Sequence, residues 1–251
     1  MKEVNELAKM IDHSLLHPTM TDTDLKKGCE IALAYDVASV CIKPYAIPLA
    51  VEALADSSVL VGTVIGFPHG NSSIEIKTLE AEASCKAGAT EIDMVINIGK
   101  ALAKDWDYIY SEIDSVSNIT HKNGGIIKVI FENDFLPDDE IKIKLCEICS
   151  EIGADFVKTS TGYGFNKGED GTYSYKGATH HDLKLMRKYA GSNVQVKAAG
   201  GIRTLDDLIA VKALGVTRVG ATATVAMLEA AKKRYGIESG PSLSYDDTPG
   251  Y

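Results

Sequence analysis

The 251-residue chain is 45% hydrophobic and 24% charged, enough apolar material for one sizeable core and long enough for two small domains or one large barrel. Its net charge of −9, with no basic cluster interleaved with aromatic residues, argues against nucleic acid as a partner. No apolar run is long enough for a signal peptide or a membrane span, so neither a membrane nor an exported location is expected.

In chain order, short apolar, β-branched runs alternate with longer amphipathic ones. Strands are expected at 10–14 (MIDHS), 38–44 (ASVCIKP), 59–67 (VLVGTVIGF), 91–97 (EIDMVIN), 126–133 (IIKVIFEN), 155–160 (DFVKTS), 194–200 (VQVKAAG) and 217–222 (TRVGAT). Helices lie between them. Thr21 or Asp22 is placed to cap TDTDLKKGCEIALAYD, and Gly88 to end SIEIKTLEAEASCKAGA. This alternation predicts a single (β/α)8 TIM barrel over 1–235, followed by a flexible tail over 236–251. A doubly wound open sheet fits less well, because no GxGxxG follows the first strand. The segment 162–179 (GYGFNKGEDGTYSYKGAT) is long, polar and Gly-rich, and reads as a lid, an oligomer contact or surface elaboration.

The five cysteines, Cys29, Cys41, Cys85, Cys146 and Cys149, suggest no disulfide framework and point to a reducing, cytoplasmic setting. Cys146 and Cys149 form a CxxC, but one placed on the apolar face of a helix. The six histidines offer no trusted ligand spacing: His13 and His17 precede Pro18 in a strand and loop, and the adjacent His180 and His181 point apart on a helix. No metal and no cofactor is expected.

Function in such a barrel comes from the C-terminal ends of the strands. The polar residues there are Asp12, Ser14, Cys41, Asp93, Asn97, Glu132, Lys158, Ser160 and Lys197. Lys158 and Lys197 lie on successive strands about 4.8 Å apart. Two ammonium groups in one desolvated pocket disfavour each other's charge, so one is expected to be a neutral, nucleophilic amine suited to Schiff-base formation. A lone strand lysine more often snorkels or pairs with a carboxylate; the pair, with Asp93 nearby, favours catalysis. Asp93 is either a counter-ion or a proton carrier. The turns AAGGIRT (198–204) and VGATAT (219–224) open into helices and suit a phosphate, with Gly162 as a further donor and Arg203 as a phosphate partner or, slightly preferred, a loop anchor.

Taken in order, IDHSLLHP, SVCIKP, VGTVIGFPHG, GATEIDMVINIG, KVIFEN, GADFVKTSTGYG, VKAAGGIRTLDD and RVGATAT resemble the deoxyribose-phosphate aldolases over nearly the whole chain. That resemblance implies class I cleavage of 2-deoxy-D-ribose 5-phosphate to D-glyceraldehyde 3-phosphate and acetaldehyde. It assigns the Schiff base to Lys158, with Lys197 and Asp93 assisting. It places the phosphate on the backbone at Gly162, Gly200, Gly201 and Gly220 together with Thr222, and the substrate-side positions at Asp12, Ser14 and Cys41. Departures from the family pattern are the length of 162–179, a lysine at 43, which either extends the positive field or lies in solvent, and Tyr251, whose phenol could aid proton transfer. A related aldolase or transaldolase-like enzyme on another phosphorylated sugar, and a non-catalytic phosphosugar-binding barrel, are the rival readings. Apolar positions on the outer helices suggest a homo-oligomer, a dimer being favoured.

Overall fold

A computed structural model describes residues 1–237. Eight parallel strands close into a barrel: β1 (Ile11–Leu15), β2 (Ser39–Ile42), β3 (Leu60–Ile65), β4 (Glu91–Val95), β5 (Ile126–Ile130), β6 (Phe156–Lys158), then β9 (Gln195–Ala199) and β10 (Arg218–Ala221). Between β6 and β9 the expected loop carries a small antiparallel hairpin, β7 (Asn166–Lys167) and β8 (Tyr173–Ser174). β10 pairs with β1 and completes the ring. All eight expected strands are present; the first is shifted by one residue, and the other seven are two or three residues shorter where the chain leaves the ladder. A helix not anticipated, Lys2–Ala8, precedes β1.

The barrel strands alternate strictly. One set of side chains, including Ile11, Leu15, Val40, Ile92, Met94, Ile127, Val129, Val157, Val196 and Val219, joins the apolar layer beneath the helices. The intervening set contains Asp12, Glu91, Asp93, Lys128, Lys158 and Lys197, all buried. Because Asp12 on β1 bonds Lys128 on β5, this second set must meet along the barrel axis. Strands covered on both faces read as near-continuous apolar runs, yet here the axis is built of ions.

Local signals fix the outer layer. The helix Asp22–Tyr35 starts at a capping box in which Thr21 and Asp24 satisfy each other's backbone donors. Ser73 caps Ile74–Lys86, and Gly88, at φ +109°, turns the chain into β4. Of the expected tail, Gly236 and Ile237 are described: Ile237 N–H donates to the Lys232 carbonyl at 2.9 Å and its side chain packs on the core. Residues 238–251, with Tyr251, lie outside the described residues. No helix among the described residues is long and apolar enough to cross a membrane.

Candidate active site

The register of the barrel sets Lys158 of β6 directly beside Lys197 of β9. Their amines converge on one carboxylate oxygen: Lys158 Nζ and Lys197 Nζ each donate to Asp93 Oδ2 at 2.7 Å. Lys197 also donates to Asp12 Oδ2 at 2.5 Å. Below this layer Lys128 Nζ reaches Glu91 Oε2 at 2.5 Å, Asp93 Oδ1 at 3.1 Å and Asp12 Oδ2 at 3.2 Å. Arg218 Nη1 closes the network on Asp12 Oδ1 at 2.6 Å and Glu91 at 3.0 Å.

Burial penalises every one of these charges, so their neighbours decide which survive. For Lys158, burial lowers the pKa, Lys197 adds to the lowering, and the single partner Asp93 does not make up the difference. For Lys197, burial lowers it too, but Asp12 and Asp93 together outweigh that and the net direction is up. Lys128, facing three carboxylates, is also raised against its burial. Asp12 and Asp93 are lowered despite burial, chiefly by Lys128 together with Lys197 for Asp12 and Lys158 for Asp93. Four cations (Lys128, Lys158, Lys197, Arg218) face three carboxylates (Asp12, Glu91, Asp93). Loss of one proton balances the axis, and Lys158 has the fewest carboxylate partners of the four.

A cleft opens above this layer at the C-terminal ends of the strands. Its lining includes Ser14, Cys41, Lys158 and Lys197 together with Gly162, Gly200, Gly201, Gly220 and Thr222. Cys41 is a thiol whose pKa burial pushes up to about 11, so it offers shape and not a thiolate. Two expected site residues do not line the cleft, though Asp93 meets both lysines. Asp12 and Asp93 are fully buried beneath the cleft lining. For Asp12 this differs from a substrate-side position: it bonds Lys197, Lys128, Arg218 and Ser39 and so acts on the lysines.

The glycine turns divide in role. The helix Leu205–Ala213 has its first turn closed by a capping box of Thr204 and Asp207. The helix Thr224–Arg234 has no side-chain cap hydrogen bond, and its N-terminus follows the cleft-lining Gly220 and Thr222. An uncapped helix start beside two lysines favours an anion. Arg203 lines the cleft as well, while its backbone N–H donates to Asp207.

Other features resolve locally. Lys43 donates to the carbonyls of His17 and Met20 at 3.2 and 2.8 Å, fixing the loop after β1. Cys146 and Cys149 are buried on the helix Asp139–Ile152 with raised pKa values, as an apolar helix face requires. Asp139, His181 and Asp182 come together from two helices, a cluster that sequence spacing does not reveal. Lys142 already sits on both carboxylates, at 2.8 and 2.6 Å.

Glu132 plays a larger part than its place at a strand end suggests. It adopts the left-handed region at φ 58°, uncommon for a non-glycine residue. Its buried carboxyl accepts the Thr161 N–H at 3.2 Å and bonds the Thr161 hydroxyl, so it holds the turn that leads from Lys158 to Gly162. Burial pushes its pKa up to about 7.

With this geometry in view, comparison with known proteins is decisive. The family model described as DeoC/LacD family aldolase matches residues 7–228. The chain belongs to the DeoC/LacD family of aldolases. It is 50% identical over 235 residues to the deoxyribose-phosphate aldolase of Rhodopirellula baltica, covering 94% of this chain and 93% of that one. It is 49% identical over 229 residues to that of Caldanaerobacter subterraneus, covering 91% and 94%. Among solved structures, the tetrameric deoxyribose phosphate aldolase of Aeropyrum pernix aligns at 29% identity with a TM-score of 0.79, over 93% and 94% of the two chains. As an aldolase this chain must stabilise a carbanion equivalent next to a carbonyl, and a desolvated amine at the mouth is suited to that.

Proposed function

We propose that this aldolase cleaves 2-deoxy-D-ribose 5-phosphate reversibly to D-glyceraldehyde 3-phosphate and acetaldehyde, with Lys158 as the Schiff-base nucleophile. The observation that carries the reading is the unequal pairing of two adjacent buried lysines. Lys158 shares one carboxylate while Lys197 holds two, so the proton is lost from Lys158. The relatives' names supply the substrate.

Neutral Lys158 Nζ attacks C1 of the open-chain aldehyde, and loss of water leaves a protonated imine. A base removes the C3 hydroxyl proton, the C2–C3 bond breaks, and its electron pair moves into the imine to give an enamine. Glyceraldehyde 3-phosphate departs; protonation at C2 and hydrolysis release acetaldehyde and restore the amine. Asp93 and the Lys197 ammonium are the proton carriers nearest Lys158. Gly162, Gly200, Gly201, Gly220 and Thr222 hold the phosphate, so its binding energy orients C1 at the amine. Ser14 and Cys41 line the sugar's side of the cleft.

Borohydride reduction in the presence of 2-deoxyribose 5-phosphate, followed by peptide mass spectrometry, tests this. A reduced adduct on Lys158, absent in Lys158→Ala, is expected together with acetaldehyde as product. Ligand binding with no adduct on any lysine would refute the mechanism. A cytoplasmic setting follows from five free cysteines, four of them buried. A homodimer is further proposed from exposed Leu33, Ile76 and Leu79 on the outer helices, and sedimentation velocity measures it.

A further inference from the structure

One aromatic side chain at the mouth takes no part in the chemistry above. Tyr175, between β8 and the helix His180–Tyr189, is half-buried and forms part of the cleft lining. Its position is fixed from several sides. Phe165, at the entry to the hairpin, meets its ring edge-on with centroids 5.0 Å apart. Asp134, just after β5, accepts the backbone N–H groups of Lys176 at 2.5 Å and Gly177 at 3.0 Å on its two carboxylate oxygens. The Asp134 carbonyl accepts Asn166 Nδ2 at 2.6 Å from the other leg. Ala178 N–H donates to the Gly200 carbonyl at 3.0 Å.

The hairpin is therefore tied at both ends to Asp134 and, at its exit, to the Gly200–Gly201 turn itself. The approach is close enough to require glycine on both sides. A Cβ on Gly200, which sits at φ +83°, would lie 3.3 Å from Tyr175 Cε2, and one on Gly177 would lie 2.6 Å from the Gly200 carbonyl oxygen.

We propose that Tyr175 is a specificity-determining residue whose ring walls the phosphate end of the cleft, selecting substrates with a terminal phosphate over their unphosphorylated counterparts. The inference rests on the reading that the Gly200–Gly201 turn holds phosphate. Hydrogen bonds from backbone N–H groups to a dianion are charge-assisted, and removing surrounding water strengthens them. A ring packed on the turn excludes that water and leaves the lysine end of the cleft to the sugar. The gain is binding shared by ground state and transition state, so it belongs in KM.

The test compares kcat and KM for 2-deoxy-D-ribose 5-phosphate and for 2-deoxy-D-ribose in the full-length wild type, Tyr175→Ala, Tyr175→Phe and Asp134→Ala. Tyr175→Ala is expected to lower the ratio of the two kcat/KM values by about tenfold, mostly through KM for the phosphorylated sugar. Tyr175→Phe keeps the wall and is expected to stay within about twofold of wild type. Asp134→Ala, which unties the hairpin, is expected to move the ratio in the same direction as Tyr175→Ala. An unchanged ratio in Tyr175→Ala overturns the proposal, and so does an equal fall for both sugars, which a merely structural role would give. A wild type with no preference for the phosphorylated sugar would overturn the phosphate reading itself, before any variant is made.

Discussion

The floor and the mouth of this barrel are built from the same residue types and do opposite things. At the floor, Lys128 touches three carboxylates and Arg218 two, so both cations are held firmly charged despite burial. At the mouth, Lys158 touches one carboxylate that it shares with Lys197, and its pKa falls. Burial is nearly equal: Lys128 is 1% exposed and Lys158 3%. What separates a buried lysine held charged from one whose pKa falls is therefore the number of carboxylates within reach. A buried ion needs full compensation, and withholding part of it favours the neutral amine that the proposed mechanism uses.

Removing each lysine should break the comparison in a different observable. Lys158→Ala takes away the proposed nucleophile, and kcat should fall by something on the order of ten-thousandfold. Its stability should hold or rise, because an under-compensated buried amine is removed; a clear loss of stability would contradict the weak pairing. Lys128→Met does the reverse. It leaves Glu91, Asp93 and Asp12 short of a cation, and breaking a buried network of this kind costs about 3–5 kcal/mol. Urea unfolding measures it, and a loss near zero would show that Arg218 and Lys197 alone suffice. Pairing the change with Glu91→Gln should recover part of the loss.

Much of the mouth was legible in the sequence, and much of the floor was equally available there. Lys158 and Lys197 stand out because each interrupts an apolar strand run, and the strand order makes them neighbours. The same period of two places Glu91 on the face of Asp93 in EIDMV, and Lys128 inside IIKVI; a floor of ions could have been inferred from that alternation. The resemblance places Asp12 on the substrate side, whereas the structure buries it on the lysines. Its true depth depends on barrel stagger, which a linear sequence does not carry. The fold over Gly200 was out of reach for a related reason. Two-residue strands such as β7 and β8 have no periodicity to read, and their attachment runs through Asp134, some thirty to forty residues upstream of the groups it binds.

Glu132, just past the mouth end of β5, gives the smallest expected effect. Its pKa is pushed from 4.5 to about 7 by burial, with the Thr161 hydrogen bonds opposing the shift. Between those values the folded chain binds a proton that the unfolded chain has released. Its contribution to stability is thus complete below pH 4.5 and is lost as pH rises through about 7. Over that window linkage gives a decline of at most about 3 kcal/mol. Asp12 and Asp93 act in the opposite sense, since both are lowered in the fold and weaken it only as pH falls through the acid range. The two effects occupy different windows, so Glu132→Gln should flatten the curve above pH 4.5 and leave the acid limb in place. Unfolding free energies of wild type and Glu132→Gln across that range decide it. Parallel curves would mean that the carboxyl stays ionised and that Thr161 is held by an ordinary carboxylate. A difference growing with pH would mean that the turn between Lys158 and Gly162 is held by a neutral acid, and that the phosphate end of the cleft loosens as that acid ionises.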